Sequence, residues 1–264
     1  MRQMTIKSAL MRTVAVMLLT LGTVSASAQY YMNVVQKDGE KVQYLVSNID
    51  SVYFSDQESP AANYEYVDLG LSVKWATCNV GATKPEEYGD YFAWGETEPK
   101  TDYSWSTYKW CKGSYTTMTK YCNKSDYGNN GFTDTKTTLD LEDDVAHVKW
   151  GGSWRMPTKA EQDDLRNKCD WKWYSSGNTE FNGVAGYKVT SNIEGYKDRF
   201  IFLPAAGSRY VTGLFNVGSF GGYWSSSLRT GYPYYAWSVS FDSSGVIAYY
   251  YDRFHGRSVR PVCP

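Results

Sequence analysis

The chain has 264 residues and a formal net charge of −1, with acidic and basic residues in nearly equal number. Recognition of nucleic acid depends on clustered Lys and Arg that neutralise phosphates, so this balance argues against a nucleic-acid partner. The length suits one full-sized domain with a small appendage.

The first residues predict export. Basic residues precede a short apolar run at 14–21, and the small-residue stretch 25–28 follows it. This order is typical of a secretory signal peptide, which we place at 1–28. The apolar run is shorter than the roughly 20 residues that cross a bilayer, so we expect no membrane insertion. We therefore expect the protein to be secreted, on the cell surface or in the periplasm, without a lipid anchor, since its first cysteine is Cys78.

A small β unit is predicted at 29–56. Two alternating apolar segments, 30–35 and 42–46, flank an Asp-Gly turn, which indicates a hairpin. A third short strand is expected at 51–54. The polar stretch 57–63 contains a proline and is interpreted as a linker.

The rest of the chain, 64–264, is predicted to form one α+β domain with two helices and a mainly antiparallel sheet. Its first part is mostly loop between residues 81 and 137, because Gly, Tyr, Ser and Thr occur there without periodicity. Apolar alternation indicates strands later in the chain. The candidate strands are 66–69, 73–76, 187–189, 200–203, 237–241, 246–251 and 258–263.

Two helices are expected in the middle of this domain. In the first, Leu141, Val145 and Val148 have the spacing of a single buried face, after an acidic start. The second begins after a proline, where Thr158 and Glu161 have the spacing of a capping box. It should end near residue 169.

Five cysteines occur, all after the signal peptide: Cys78, Cys111, Cys122, Cys169 and Cys263. Export to an oxidising compartment would permit disulfides, and spacing makes Cys111 with Cys122 the first candidate pair. Five buried, reduced cysteines are the alternative.

No cofactor is expected. With only His147 and His255, the chain lacks the ligands for a multi-histidine metal centre. Calcium in an irregular loop is an alternative, with Asp126, Asp134 and the acidic start of the first helix as carboxylate donors. A pair of carboxylates for glycoside hydrolysis is defined by its separation in space, and the sequence singles out no pair.

Aromatic residues are the most informative feature, with 24 Tyr and 10 Trp. Trp224 and Trp237 lie beside strand-like alternation and are expected in the core. Tyrosines and arginines crowd the last quarter of the chain, and together they are typical of a recognition surface. The candidate ligand-binding residues are Arg209, Arg229, Tyr232, Tyr234, Tyr235, Tyr249, Tyr251, Arg253 and His255.

Several motifs resemble the Fibrobacter succinogenes major paralogous domain family (FISUMP), which is common in exported proteins of Bacteroidetes. The matching segments are YVDLGL at 66–71, WATCNVGA at 75–82, GDYFAWGE at 89–96, GGSWRMPT at 151–158, LPAAG at 203–207, YWSSS at 223–227 and SVRPV at 258–262. The resemblance implies a fold similar to C-type lectin-like and formylglycine-generating-enzyme-like domains. It implies that long loops and the terminal strands present the ligand surface. Catalytic relatives use a closely spaced cysteine pair, whereas this chain has the isolated Cys263 near its end.

Three functional hypotheses follow. The first is a binding module, not an enzyme, that recognises a glycan or a protein through its C-terminal aromatic and Arg-rich loops. The second is a glycan-acting or modifying enzyme on the same scaffold. The third is a structural envelope protein in which nearly all tyrosines are buried.

Overall fold

A computed structural model describes residues 31–35, 41–48 and 64–264. The chain divides into two compact units, Met1–Asp56 and Gln57–Pro264. The expected signal peptide, the third strand of the small unit and the linker all lie outside the described residues. Within the described part of the chain, no helix has the length and apolar character needed to cross a bilayer.

The small unit contains the hairpin that its alternating pattern predicts. Strand β1, Tyr31–Val35, pairs antiparallel with β2, Lys41–Leu45, and Tyr31 lies opposite Leu45. A single 3-10 turn, Val46–Asn48, follows β2.

A three-stranded sheet joins the beginning of the large unit to its end. Strand β4, Lys74–Ala76, lies between β3, Tyr66–Val67, and β13, Val262–Cys263. Both pairings are antiparallel. The predicted closing strand, 258–263, is therefore present only in its last two residues.

The first predicted helix is shorter than expected, and its buried face differs. A 3-10 turn, Leu141–Asp143, precedes helix α1, Val145–Trp150, and the extended Asp144 separates them. Because the backbone leaves helical geometry at Asp144, residues on its two sides do not share one face. Leu141 and Val148 are consequently exposed, so the predicted apolar stripe was wrong at both.

The second helix, α2, spans Lys159–Lys168 and confirms the capping box. The Thr158 hydroxyl accepts from the Glu161 amide at 3.3 Å, and the Glu161 carboxylate accepts from the Thr158 amide at 2.7 Å. Both exchanges satisfy amides that a helix start leaves without partners. Leu165 and Gln162 form the buried side of this helix.

A second antiparallel sheet follows α2 directly. Its order is β5, Cys169–Tyr174, then β6, Gly186–Ser191, then β7, Phe200–Pro204. The strands predicted at 187–189 and 200–203 are confirmed within β6 and β7. Strand β5 was not predicted, because it begins at the residue directly after the end of the helix, without an intervening turn signal.

The third sheet carries the C-terminal aromatic residues. Strand β11, Tyr235–Asp242, lies between β10, Phe220–Leu228, and β12, Gly245–Asp252, so β12 is an edge strand. Both pairings are antiparallel. A separate short hairpin comprises β8, Ser208–Tyr210, and β9, Gly213–Phe215.

Large aromatic rings fill the core between these sheets. Trp94 and Trp224 are fully buried, and their ring N–H groups donate to the carbonyls of Ser225 and Phe92 at 2.7 and 2.9 Å. Trp224 thus lies in the core as expected, whereas Trp237 is half-buried. The described architecture is α+β, with two α-helices and mostly antiparallel sheets.

Candidate ligand-binding surface and cleft

A compact turn between β10 and β11 presents several aromatic side chains. The Tyr235 carbonyl accepts from the Arg229 amide at 3.1 Å, and the Arg229 carbonyl accepts from the Tyr232 amide at 3.2 Å. The Tyr232 carbonyl accepts from the Tyr235 amide at 2.9 Å. With its backbone groups bonded internally, the turn can project its rings outward.

The rings of this turn meet those of β12 in one tyrosine surface, which we define as Tyr232, Tyr234, Tyr235, Tyr249 and Tyr250. Ring centroids are 4.2 Å apart for Tyr234 and Tyr235, 5.0 Å for Tyr235 and Tyr250, and 4.7 Å for Tyr249 and Tyr250. Tyr232 and Tyr249 remain 45% and 44% exposed. The surface therefore offers ring area to solvent while its members support one another.

Tyr249 and Tyr250 depart from simple strand alternation, which would place adjacent side chains on opposite faces. Their rings stack within 9° of parallel. Tyr250 also contacts Tyr235 and Trp237 of the neighbouring strand β11, with ring centroids 5.0 and 5.6 Å apart.

Residues from the long loop extend this surface, although no sequence pattern indicates their position. The ring centroids of Tyr115 and Tyr127 lie 5.2 and 5.0 Å from that of Tyr234. Tyr115 is exposed. More than 100 residues separate these tyrosines from Tyr234, so only the tertiary fold brings them together.

Arg229 is held by the tyrosine surface. Its guanidinium lies 3.8 Å from the ring centroid of Tyr250 and 4.4 Å from that of Tyr232. Among the described residues, no carboxylate forms an ion pair with it. The rings fix the guanidinium plane through cation–π contacts and leave its N–H groups available to a ligand.

Two hydroxyls of the tyrosine surface, those of Tyr234 and Tyr235, stay protonated near neutral pH. Burial raises the pKa of Tyr234 to about 12. Burial, followed by the nearby charge of Asp252, also raises the pKa of Tyr235. These two neutral hydroxyl groups can both donate and accept hydrogen bonds.

Beside this surface is a cleft of about 480 Å³ under the β8–β9 hairpin. The residues that line it are Ser208, Tyr210, Phe215, Asn216, Phe220, Tyr251, His255 and Arg257. It joins the tyrosine surface through Tyr251, whose ring centroid is 5.3 Å from that of Tyr249. Of the predicted binding residues, Tyr251 and His255 line this cleft.

Paired backbone bonds hold the hairpin against the segment that follows β12. The Arg209 amide donates to the Gly256 carbonyl at 2.8 Å, and the Gly256 amide donates to the Arg209 carbonyl at 3.0 Å. Glycine is required at 256, because a Cβ there would lie 2.6 Å from the ring of Tyr103. This close approach fixes the position of His255 in the cleft wall.

His255 is neutral in the folded protein. Burial, and then the charge of Arg257, lower its pKa to about 3. Its ring contacts that of Tyr210, with centroids 5.2 Å apart. The neutral imidazole offers the cleft one N–H donor and one acceptor nitrogen.

Arg209, another predicted residue, lines a different cavity. That second cavity, of about 380 Å³, also includes Asp90, Lys100 and Tyr103 in its wall. The Arg209 guanidinium lies 5.3 Å from the ring centroid of Tyr91. The structure thus separates Arg209 from the tyrosine surface and from the first cleft.

Arg253 is not on the surface, contrary to the prediction, because it is fully buried. It donates to the Tyr108 hydroxyl at 2.7 Å and to the carbonyls of Pro233, Tyr121 and Lys120 at 2.8, 3.1 and 3.1 Å. Such a set of acceptors offsets the cost of burying a guanidinium. Arg253 therefore ties the long loop to the turn that carries the tyrosines.

The predicted bridge between Cys111 and Cys122 is absent, since all five cysteines are buried free thiols. The two thiols donate to different carbonyls, Cys111 to Trp105 and Cys122 to Lys124, each at 3.2 Å. Burial raises the pKa of both. The long loop is held by packing and hydrogen bonds, which sequence spacing could not reveal.

An ammonium group lies among the acidic residues considered for calcium. Lys120 pairs with Asp140, Glu142 and Asp143 at 2.8, 3.0 and 2.7 Å. Asp134 accepts from two backbone amides of the preceding loop, those of residues 121 and 122. These carboxylates thus have ionic or backbone partners within the protein.

The first cleft contains no acidic residue among the described residues that line it. The lining of this cleft therefore suits binding by rings and neutral polar groups beside one arginine.

The other histidine, His147, lies in helix α1. Its Nδ1 atom is 3.2 Å from the Trp154 carbonyl.

Comparisons with known protein families, with curated proteins and with solved structures found no match to this chain. The interpretation of the site therefore depends on its residues and their geometry.

Proposed function

We propose that this chain is an exported binding module that recognises a glycan through the tyrosine surface and Arg229. The observation that carries the proposal is the stacking of Arg229 on Tyr250 and Tyr232, beside rings that remain nearly half exposed. A cation fixed in this way, without a carboxylate partner among the described residues, has hydrogen-bond donors to offer.

Binding of a sugar ring involves both aromatic stacking and hydrogen bonding, and this surface can supply both. Their C–H faces pack on flat aromatic rings, and Tyr232 and Tyr249 expose such faces. Their hydroxyl groups require directed donors and acceptors, which Arg229 and the neutral tyrosine hydroxyls supply. Tyrosine also loses little conformational entropy on binding, since it has few rotatable bonds.

The resemblance to the FISUMP family and to C-type lectin-like folds is part of this proposal. In such a fold, loops and terminal strands would present the ligand surface, which agrees with a site at the turn 229–235 and strand β12. The α+β architecture is compatible with that assignment. Export by the N-terminal segment would bring the surface to extracellular or periplasmic glycans.

A protein partner is the second candidate, and the β8–β9 hairpin favours it. Tyr210, Val211, Leu214 and Phe215 are all exposed in this short segment. Exposed apolar groups of this kind mark many protein-binding surfaces. A purely structural role is less well supported, because it requires nearly all tyrosines to be buried.

The test is binding of the purified exported protein to a broad glycan array, with and without calcium. We expect hits that Tyr232→Ala and Tyr249→Ala each weaken by about tenfold, the effect of losing one ring that stacks on a ligand. Tyr66→Ala is the matched control, since Tyr66 is similarly exposed but lies in β3. Glycan hits that survive both changes would refute the placement, and an array without hits would favour the protein partner.

A further inference from the structure

Arg257 lines the cleft and is almost entirely buried, with 1% of its surface exposed. Its guanidinium lies 3.4 Å from the ring centroid of Tyr251 and 5.3 and 5.5 Å from those of Trp224 and Phe220. Gly222 makes room for it, because a Cβ there would lie 2.0 Å from Nη1. The fold thus places a cation among aromatic rings at the wall of a cavity.

The buried guanidinium of Arg257 has few hydrogen-bond acceptors. Nη1 reaches the Ser240 hydroxyl at 3.5 Å, the limit for a hydrogen bond, and the Tyr251 side chain provides a second polar contact. Nε has no partner. Among the described residues, no carboxylate forms an ion pair with Arg257.

The two other buried arginines show the contrast. Arg253 has its set of carbonyl and hydroxyl acceptors, as described above. Arg260 donates to the side chain of Asn79 and to the carbonyls of Ala76, Thr77 and Phe202, all within 3.1 Å. Both arginines thus donate several hydrogen bonds to acceptors inside the protein. Arg257, in contrast, borders the cleft, and its Nε–H group has no acceptor.

The charge of Arg257 acts on the cleft at neutral pH. Burial lowers its pKa, to about 10, which still leaves the group protonated near pH 7. His255 is neutral, and the remaining lining residues carry no charge, so Arg257 is the single charged residue among those that line this cleft. A buried positive charge is weakly screened and attracts anions into the adjacent cavity.

We propose that the cleft binds the carboxylate of an acidic saccharide, a uronic acid, with Arg257 as its counter-ion. The choice of a saccharide rests on the proposed glycan function; the choice of an anion rests on Arg257 alone. Tyr210 and Tyr251 provide ring faces for the sugar, and Ser208 and Asn216 provide polar groups for its hydroxyls. A planar guanidinium matches the planar carboxylate in geometry as well as in charge.

The experiment follows the Nε–H signal of Arg257 by ¹H–¹⁵N NMR while sodium glucuronate is added to the whole protein. The signal is assigned by its absence in Arg257→Gln. We expect saturable shifts with glucuronate, and much smaller ones with glucose or with sodium acetate at the same concentration. Because this readout is local, it is independent of the array experiment on the tyrosine surface.

A pair of variants at Ser208 tests the charge without altering Arg257. Ser208→Glu places a carboxylate in the cleft wall, where it should compete for the guanidinium and weaken glucuronate binding by about tenfold. Ser208→Gln has the same size without the charge, so it is the direct comparison for Ser208→Glu and should bind glucuronate clearly more tightly than that variant. If both variants bind glucuronate equally, the anion assignment is wrong, and equal responses to acetate and glucuronate would overturn the assignment of a saccharide.

Discussion

The ring centroid of Tyr251 lies 3.4 Å from the guanidinium of Arg257, in direct stacking contact. Tyr251 belongs to β12, and Arg257 follows that strand after a short turn. The contact therefore joins the last residues of the strand to the segment that forms the cleft wall. It also covers one face of the guanidinium with an aromatic ring.

Replacing Tyr251 by Ala should destabilise the protein by about 3 kcal/mol, because both the cation–π contact and the buried ring area are lost. Tyr251→Phe keeps the ring and should lose less than about 1 kcal/mol. Urea unfolding of the three proteins measures these differences. If the Ala variant is as stable as the Phe variant, the ring contributes nothing to holding Arg257.

Arg253→Ala should be among the most destabilising single changes in the large unit, by about 3 to 5 kcal/mol. It would leave the carbonyls of Lys120, Tyr121 and Pro233 buried without their donor. Arg229→Ala, at the half-buried start of the same turn, is the control and should cost less than about 1 kcal/mol. Chemical denaturation measures both, and equal losses would contradict the different burial of the two arginines.

Asp252→Asn should alter the pH dependence of stability. Burial raises the pKa of Asp252 to about 6, above the value of about 4 for an unfolded chain, so the folded state binds its proton more tightly. The stabilisation from this proton is complete below about pH 4 and is lost as the pH rises through 6. The variant should therefore gain about 1 kcal/mol at pH 7, after allowance for solvent screening.

The measurement is urea unfolding of both proteins at pH 4, 5, 6 and 7. Burial also raises the pKa of Asp144 to about 6, so this residue changes the stability with pH in the same direction. Because Asp144 is present in both proteins, the stability of the wild type should fall more steeply with rising pH than that of the variant. Parallel curves for the two proteins would show that Asp252 is not responsible.

Because all five cysteines are free thiols, a reductant should leave the melting temperature unchanged. Burial raises the pKa of Cys169 to about 11 and raises the pKa values of the others as well, so alkylation of the folded protein should be slow. After unfolding without reductant, five thiols should react. Recovery of only three would indicate one disulfide and would contradict the structure.

Local sequence signals predicted the elements that depend on neighbouring residues. The capping box at Thr158 and Glu161 is such a case, since both partners lie within one helical turn. The hairpin of β11 and β12 is another, because its alternation and its turn occupy one continuous segment. The extent and buried face of the first helix were predicted wrongly. Asp144 has extended backbone geometry and caps the helix, and an apolar spacing pattern does not indicate such a break.

The candidate site was predictable only where its residues are close in sequence. Tyr232 to Tyr235 and Tyr249 to Tyr251 come together through one hairpin, so their clustering follows from the strand pattern. Arg229 and Arg253 both lie beside tyrosines, and nothing in the sequence distinguishes the half-buried arginine from the fully buried one. The cleft requires the β8–β9 hairpin to lie against the segment after β12, which is a long-range pairing.

Two of the buried arginines are held by acceptors that carry no charge. Arg253 and Arg260 donate to carbonyls, a phenol and an amide, where proteins often use carboxylates. Acid that protonates Asp and Glu leaves those acceptors unchanged. Added salt weakens ion pairs on the protein surface, but it does not displace these buried hydrogen bonds. The hydrogen bonds by which these arginines join the end of the chain to its first half should therefore persist in acidic and in saline surroundings, where ordinary salt bridges fail.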